Sequence, residues 1–123
     1  MINRYKSISE CERKEKPWGY EVIWANPESK TYIGKILSIK PHHRLSLQYH
    51  EKKEETIYVM SGVLILWEGD DNTDYLHLPP GTVYHVKPNQ IHRFGAGASS
   101  VMLMEVSTNY LNDVVRIEDD YKR

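Results

Sequence analysis

The chain has 123 residues, a length that fits one domain with its own hydrophobic core. Its formal net charge of −1 excludes the strongly basic surface that broad nucleic-acid binding needs, and no apolar run is long enough to span a membrane. The single cysteine, Cys11, excludes an internal disulfide, which suits the reducing cytoplasm, so we expect a cytoplasmic protein. From the net charge and the short apolar runs we expect neither nucleic acid nor a membrane as a partner.

The N-terminal segment is polar, and ordered patterning starts near residue 16. The stretch MINRYKSISECERKEK lacks the apolar core of a signal peptide. We therefore expect residues 1–15 to form an N-terminal arm and residues 16–123 to form a single domain.

Short runs with period-two alternation dominate the rest of the chain. TYIGKILSIK, for example, places Ile33, Leu37 and Ile39 on one face of a strand. Turn signals such as GDDNTD at 69–74 and PPG at 79–81 separate the runs. This spacing predicts an all-β fold, either an antiparallel barrel or a double-sheet sandwich.

Four polar side chains fall on inward faces of these predicted strands. LSLQYH places Gln48 and His50 on the same face, because strand side chains alternate. Glu55 begins the next apolar run, and a hairpin would return it beside that face. His92 alternates with Phe94 in QIHRF, so we expect it to point inward as well. One amide, two imidazoles and one carboxylate are therefore predicted to converge.

This donor set predicts a metal site. It offers nitrogen and oxygen but no thiolate, which suits a divalent ion such as Zn, Mn, Fe, Co or Ni. Four protein ligands on an ion that accepts five or six leave positions for water or a substrate oxygen. We expect one bound ion, with zinc as the first choice.

The spacing of these residues matches a known motif. Five residues separate His42 from Gln48, and Gln48 is followed two positions later by His50. Four residues then separate His50 from Glu55, and six separate Glu55 from Gly62. These are the intervals of the first cupin motif, G-x5-H-x-H-x4-E-x6-G, with His42 and Gln48 as departures. The chain therefore resembles a cupin, which implies a double-stranded β-helix, or jelly-roll barrel.

A second motif supports the same resemblance. Gly81 is followed after five residues by Lys87, then by Asn89, and after two more by His92, as in G-x5-P-x-G-x2-H. Lys87 replaces the proline and Asn89 replaces a glycine. Because asparagine tolerates positive φ better than most residues, the second change is mild.

A narrower resemblance covers residues 16–123. KPWGYEV, RLSLQ followed by a ligand histidine, HRFGAG and VVRIEDDYKR are similar to the cupin domain of type II phosphomannose (mannose-6-phosphate) isomerases, often fused to a mannose-1-phosphate guanylyltransferase. The resemblance implies that the metal ligands are Gln48, His50, Glu55 and His92. The chain departs where EKK replaces a histidine-rich run, where Ile57 replaces an aromatic residue, and where YKR replaces YGR.

Arginines are the candidates for holding a substrate phosphate, because guanidinium groups match phosphate oxygens. By the resemblance, Arg116 precedes the acidic EDD run and Arg123 is the terminal arginine; Arg44 lies just before the ligand strand. The open alternative pairs Arg116 and Arg123 with the acidic run itself.

The catalytic base has three candidates. These are Glu54, His85 and a metal-bound hydroxide, while Arg116 is also a candidate for contacting the transition state. Residues 51–54, with the sequence EKKE, are otherwise expected to form a solvated hairpin. The open alternative is that a lysine or glutamate of this stretch lies near the open metal positions and acts as a proton donor or a phosphate contact.

An open divalent ion beside cationic groups fits aldose–ketose isomerisation of a sugar phosphate. By the resemblance, the reaction would convert mannose 6-phosphate to fructose 6-phosphate for nucleotide-sugar synthesis. We expect a homodimer, and a separate sugar nucleotidyltransferase is a further candidate partner. Two alternatives stay open: a non-catalytic metal- or sugar-binding cupin, and another cupin enzyme such as an epimerase, lyase or dioxygenase.

Overall fold

The computed structural model describes residues 4–69 and 74–123, so residues 70–73 of the expected 69–74 loop lie outside it. The described residues form one 3₁₀ turn, Ile8–Glu10, and a set of β-strands. In chain order these are β1 (Glu12–Lys16), β2 (Gly19–Ala25), β3 (Ile33–Ile39), β4 (Leu47–Tyr49), β5 (Glu55–Ser61), β6 (Leu64–Glu68), β7 (Tyr75–Leu78), β8 (Val83–Val86), β9 (His92–Ala96), β10 (Val101–Ser107) and β11 (Val115–Glu118).

Two antiparallel sheets make up the fold. One has the strand order β1-β2-β3-β10-β5-β8 and the other β11-β4-β9-β6-β7. Strands that are distant in sequence lie side by side, as where β10 pairs with both β3 and β5. The all-β, double-sheet prediction is therefore confirmed.

The hydrophobic core lies between the two sheets. Leu37, Ile57 and Leu103 fill it from the six-stranded sheet, and Leu66 and Phe94 fill it from the five-stranded sheet. These residues occupy alternate positions of their strands, which is the pattern that buries one face of a sheet.

The same inward faces carry charge at one end of the barrel. Lys35 on β3 and Glu105 on β10 are Cα partners, and both are buried. Glu55 begins β5 two strand positions before Ile57 and is also buried. Burying ionised groups is costly unless they are paired, so this end of the barrel is the candidate site.

The two ends of the chain close the sheets. β1 is an edge strand paired with β2, and the boundary expected between residues 15 and 16 falls inside it. β11 forms an edge of the other sheet beside β4. No helix in the described part of the chain is long and apolar enough to cross a membrane.

Candidate metal centre

Three of the four predicted ligands meet in the barrel. His50 follows β4, Glu55 begins β5 and His92 begins β9. The Glu55 Oε1 atom lies 3.7 Å from His50 Nε2 and 3.5 Å from His92 Nε2. All three residues are buried, and one potential ligand atom from each lies within 4.8 Å of the others.

Backbone carbonyls fix the tautomer of both histidines. His50 Nδ1 donates to the Asp113 carbonyl at 2.6 Å, and His92 Nδ1 donates to the Gln90 carbonyl at 2.9 Å. Since a carbonyl oxygen can only accept, each Nδ1 must carry a hydrogen. Nε2 of each ring faces Glu55 and is the nitrogen that can bind a metal, the arrangement that metal-binding histidines use.

The three side chains fit a divalent cation. Among the described residues neither His50 Nε2 nor His92 Nε2 has a hydrogen-bond partner, although both atoms are buried. Buried polar atoms are costly when they are left unsatisfied. Two imidazole nitrogens and a carboxylate suit zinc and the neighbouring transition metals, and an ion that they share would satisfy both nitrogens.

Gln48 lies beside this cluster, on the same sheet face as His92. The two residues are Cα partners across β4 and β9, and Gln48 is half-buried at the cavity wall. Its Oε1 accepts a hydrogen bond from Ser46 Oγ at 2.6 Å. The structure therefore places the predicted amide next to the ligand histidine, with its oxygen oriented by Ser46.

Lys53 and Glu105 adjoin the cluster, and the sequence patterns did not single them out. Lys53 Nζ lies 3.1 Å from Glu55 Oε2 and 3.1 Å from Glu105 Oε2. Lys53 is buried, so the expectation of a fully solvated hairpin at residues 51–54 is wrong at this position. The alternation of β10 held the signal for Glu105, which shares the inward face of Leu103.

The contacts with Lys53 set the protonation of the two buried carboxyl groups, Glu55 and Glu105. Burial raises the pKa of Glu55, but the ammonium of Lys53 more than offsets this effect and holds that pKa well below its ordinary value. Burial and the negative charge of Glu55 raise the pKa of Glu105 to about 8. At neutral pH, Glu55 is therefore the ionised carboxylate beside the two histidines.

A cavity of about 380 Å³ opens from this cluster, a size that is typical of small-molecule sites. Its wall includes His50, Glu55 and Gln48, together with Trp18 and Phe94 from the core. Among the described residues, the cationic side chains on the wall outnumber the carboxylates by six to four. The cations are Lys14, Lys16, Lys35, Lys53, Arg116 and Arg123.

Arg116 and Arg123 line the cavity, as expected for phosphate contacts. Arg116 is the Cα partner of Gln48, so Arg116, Gln48 and His92 form one row across β11, β4 and β9. Arg123 Nε donates to Asp119 Oδ2 at 2.9 Å, which is the contact with the acidic run that the sequence left open.

Arg44, Glu54 and His85 are absent from the described residues that line the cavity. Arg44 forms two hydrogen bonds to the Asp120 carboxylate, at 2.7 and 3.0 Å. Glu54 and His85 pair with each other at the surface. The structure thus places Arg44, Glu54 and His85 outside the described cavity wall, and their expected roles in phosphate binding and as the base stay predictions.

Comparison with known proteins identifies the family. Residues 4–119 match the family model described as "Mannose-6-phosphate isomerase C-terminal". The chain belongs to this family. The family match confirms the resemblance that the two motifs and the closing segment indicate.

Curated relatives of this family member are much longer proteins. The mannose-1-phosphate guanylyltransferase RfbM of Salmonella typhimurium is 30% identical over 121 residues, which cover 94% of this chain and 23% of RfbM. The xanthan biosynthesis protein XanB of Xanthomonas campestris is 31% identical over 137 residues, covering all of this chain and 27% of XanB. The chain thus spans about a quarter of the length of these relatives.

Solved structures confirm the cupin fold of this family member. The polyketide cyclase RemF from Streptomyces resistomycificus superposes with a TM-score of 0.80 at 17% identity, covering 99% of this chain and 92% of RemF. A conserved protein with a double-stranded β-helix domain from Klebsiella pneumoniae gives a TM-score of 0.74 at 18% identity, covering 96% of this chain and 100% of the Klebsiella chain. At such identities the likeness is one of fold alone.

Proposed function

We propose that this chain is a metal-dependent aldose–ketose isomerase that acts on a sugar phosphate, and specifically on mannose 6-phosphate. One observation carries the proposal: the buried Nε2 atoms of His50 and His92 meet Glu55 at the bottom of a cavity rich in cations. The family match supports the choice of mannose 6-phosphate. RfbM, by name a mannose-1-phosphate guanylyltransferase, supports a role in nucleotide-sugar synthesis.

The proposed mechanism gives the metal ligands and Arg116 separate roles. His50, Glu55 and His92 would hold the divalent ion, with Gln48 as the fourth ligand. When bound, the ion would supply a Lewis acid for the negative charge that develops on the sugar oxygens. Arg116 lies in the same row as Gln48 and His92, where its guanidinium would orient the substrate beside the ion.

Residues around the ligands would keep this arrangement fixed. Asp113 holds the His50 ring through its carbonyl, and Lys53 holds the Glu55 carboxylate from the side away from the histidines. Proton transfer between the two sugar carbons must come from a group that lines the cavity. Glu54 and His85 pair with each other outside the described cavity wall, so the proposal gives them no part in it.

The test is an isomerase assay with mannose 6-phosphate on protein stripped with EDTA and then supplied with Zn, Mn or Co. We expect turnover only with metal, and a loss of at least 100-fold in kcat/KM for His50→Ala and His92→Ala. His77→Ala is the matched control, because His77 is exposed on β7. Tight metal binding without turnover of any hexose phosphate would contradict the proposal and favour a non-catalytic binding protein.

Two kinds of protein partner belong to this proposal. A separate chain with sugar-nucleotidyltransferase activity would use the downstream product, as the name of RfbM indicates. A second copy of this chain would form a homodimer through sheet edges, with β8, β7 or β11 favoured over β1, whose five residues are all charged. Light scattering should then give a mass of twice 14.4 kDa, and a single-copy mass would contradict the dimer.

A further inference from the structure

Strand β1 turns two lysines toward the cavity. Lys14 and Lys16 line the cavity, as alternate residues of a strand must when one of them faces inward. Arg13 and Glu15 occupy the other face, where they form an ion pair at 2.8 Å. The Arg13 guanidinium also lies over the Tyr20 ring, 3.7 Å from its centre. The strand thus separates cavity cations from surface cations.

Arg123 and Lys35 join Lys14 and Lys16 in a positive cluster. All four line the same cavity. Burial lowers the pKa of Lys16, and the charges of Lys35, Lys14 and Arg123 lower it further, against the opposing effect of Glu21. Lys35, Lys14 and Arg123 are therefore close enough to Lys16 to repel its ammonium group.

Among the described residues, three carboxylates form ion pairs with these four cations. Asp119 pairs with Arg123 at 2.9 Å. Glu21 is shared between Lys35 at 3.4 Å and Lys16 at 3.9 Å. Lys14 pairs with Glu12 at 3.9 Å, and the Glu12 side chain is 61% exposed, so that contact is weak. An anion from outside the protein would relieve the surplus positive charge.

The cluster lies toward the solvent side of the site. The side chains of Lys14, Lys16 and Arg123 are 41%, 29% and 24% exposed. Those of His50 and Glu55 are 4% and 2% exposed. A ligand that reaches from the buried cluster to the open end of the cavity would thus meet the metal ligands at one end and the cations at the other.

We propose that Lys14, Lys16 and Arg123 bind the phosphate group of a sugar phosphate at the open end of the cavity. The identity of the sugar rests on the proposed function; the anion site rests on the cluster alone. A phosphate dianion offers three oxygens to two ammonium groups and one guanidinium, a match that a singly charged carboxylate cannot equal. β1 is then the element that selects phosphorylated substrates.

Calorimetric titration with mannose 6-phosphate, on zinc-supplemented protein, tests this site without relying on turnover. We expect Lys14→Gln and Lys16→Gln each to weaken binding roughly tenfold, since a hydrogen bond to a charged group stabilises a complex on that order. Arg13→Gln removes the same charge from the outer face of the same strand and should stay within about twofold of the unmodified protein. Mannose and mannuronate, titrated in parallel, should bind more weakly than mannose 6-phosphate and lose little in either lysine variant.

Each outcome distinguishes this site from the isomerase proposal. Failure of the unmodified protein to bind mannose 6-phosphate, or equal binding by Lys14→Gln, Lys16→Gln and the unmodified protein, would overturn the phosphate site. Mannuronate that binds as tightly, with the same losses, would overturn the choice of phosphate. Turnover with an unchanged KM in both lysine variants would overturn the site and keep the isomerase. The expected binding losses without any turnover would support the site and reject the isomerase.

Discussion

Lys53 is a buried lysine that joins two buried carboxylates. Burial lowers the pKa of Lys53, but the charges of Glu105 and Glu55 raise it above its ordinary value. The side chain therefore stays charged. The Asp113 carboxylate accepts hydrogen bonds from the backbone N–H groups of Lys52 and Lys53, at 2.7 and 2.8 Å, and so fixes the path of this segment. The side chain of Lys53 therefore points into the barrel, although it belongs to a charged stretch of the sequence.

Replacing Lys53 tests this ion triad. Lys53→Met would leave the ionised carboxylate of Glu55 buried without its cation, so we expect a loss of about 3–5 kcal/mol in the free energy of unfolding, measured with urea at neutral pH. Lys52→Met, at an exposed neighbouring position, should change it by less than about 0.5 kcal/mol. An unchanged free energy of unfolding for Lys53→Met would contradict this account.

Asp113 gives a pH-dependent prediction. Although burial raises it, hydrogen bonds from the backbone N–H groups of Lys52, Lys53 and Glu51 lower the pKa of Asp113. A lowered folded-state pKa means that the bonds stabilise the fold above the ordinary aspartate pKa of about 3.9 and lose effect as the pH falls through the folded value. Asp113→Ala in metal-free protein should therefore lose most stability above about pH 5, and the loss should shrink toward pH 3. An equal loss at pH 3 and pH 7 in urea unfolding would contradict this account.

At the scale of the elements, the glycine positions of the two motifs coincide with turn residues that have positive φ. Gly62 and Gly81, which the motifs require as glycine, have φ of 75° and 92°. His42 and Asn89, which replace motif glycines, also have positive φ, of 61° and 64°. The departures from the motif thus keep the left-handed backbone at a cost that glycine avoids.

The two glycines give a matched pair of variants. A Cβ on Gly62 would lie 2.2 Å from the Ser100 carbonyl oxygen, whereas one on Gly81 would have no atom within 4 Å among the described residues. Gly81→Ala should therefore cost only the conformational strain, about 1–2 kcal/mol. Gly62→Ala should cost more, because the strand ends must move apart. Equal melting temperatures for the two variants would contradict the close approach of Ser100 to Gly62.

Alternation found the inward faces only where those faces are apolar or carry a motif. It placed His50, Glu55 and His92 in the barrel, and the structure brings them together. It could not identify β1, since the inward residues of that strand are Lys14 and Lys16 and the strand shows no hydrophobic period. A strand that faces a polar cavity resembles a solvated arm in sequence.

Long-range pairing explains the remaining differences. Arg44 meets Asp120, and Lys53 meets Glu105, across 76 and 52 positions of the chain. Glu54 and His85 become neighbours when β5 pairs with β8. No local pattern encodes such contacts, so the sequence predicted the residue types of the site better than their partners.

At the scale of the whole molecule, net charge conceals how charge is distributed. The chain carries a formal charge of −1, yet among the described residues the cavity wall has six cationic side chains and four carboxylates. Field lines from such a wall are focused inside a cleft with low-dielectric sides, which favours an anionic ligand. The fold therefore brings together a buried cluster that fits a cation and an outer wall that fits an anion.

Anomalous X-ray scattering from a crystal grown with zinc tests the central claim most directly. We predict one strong zinc peak in the barrel, within bonding distance of His50 Nε2, His92 Nε2 and a Glu55 oxygen, and no such peak in His92→Ala. A zinc-loaded crystal with no peak there, or with peaks only on surface residues, would contradict the metal centre.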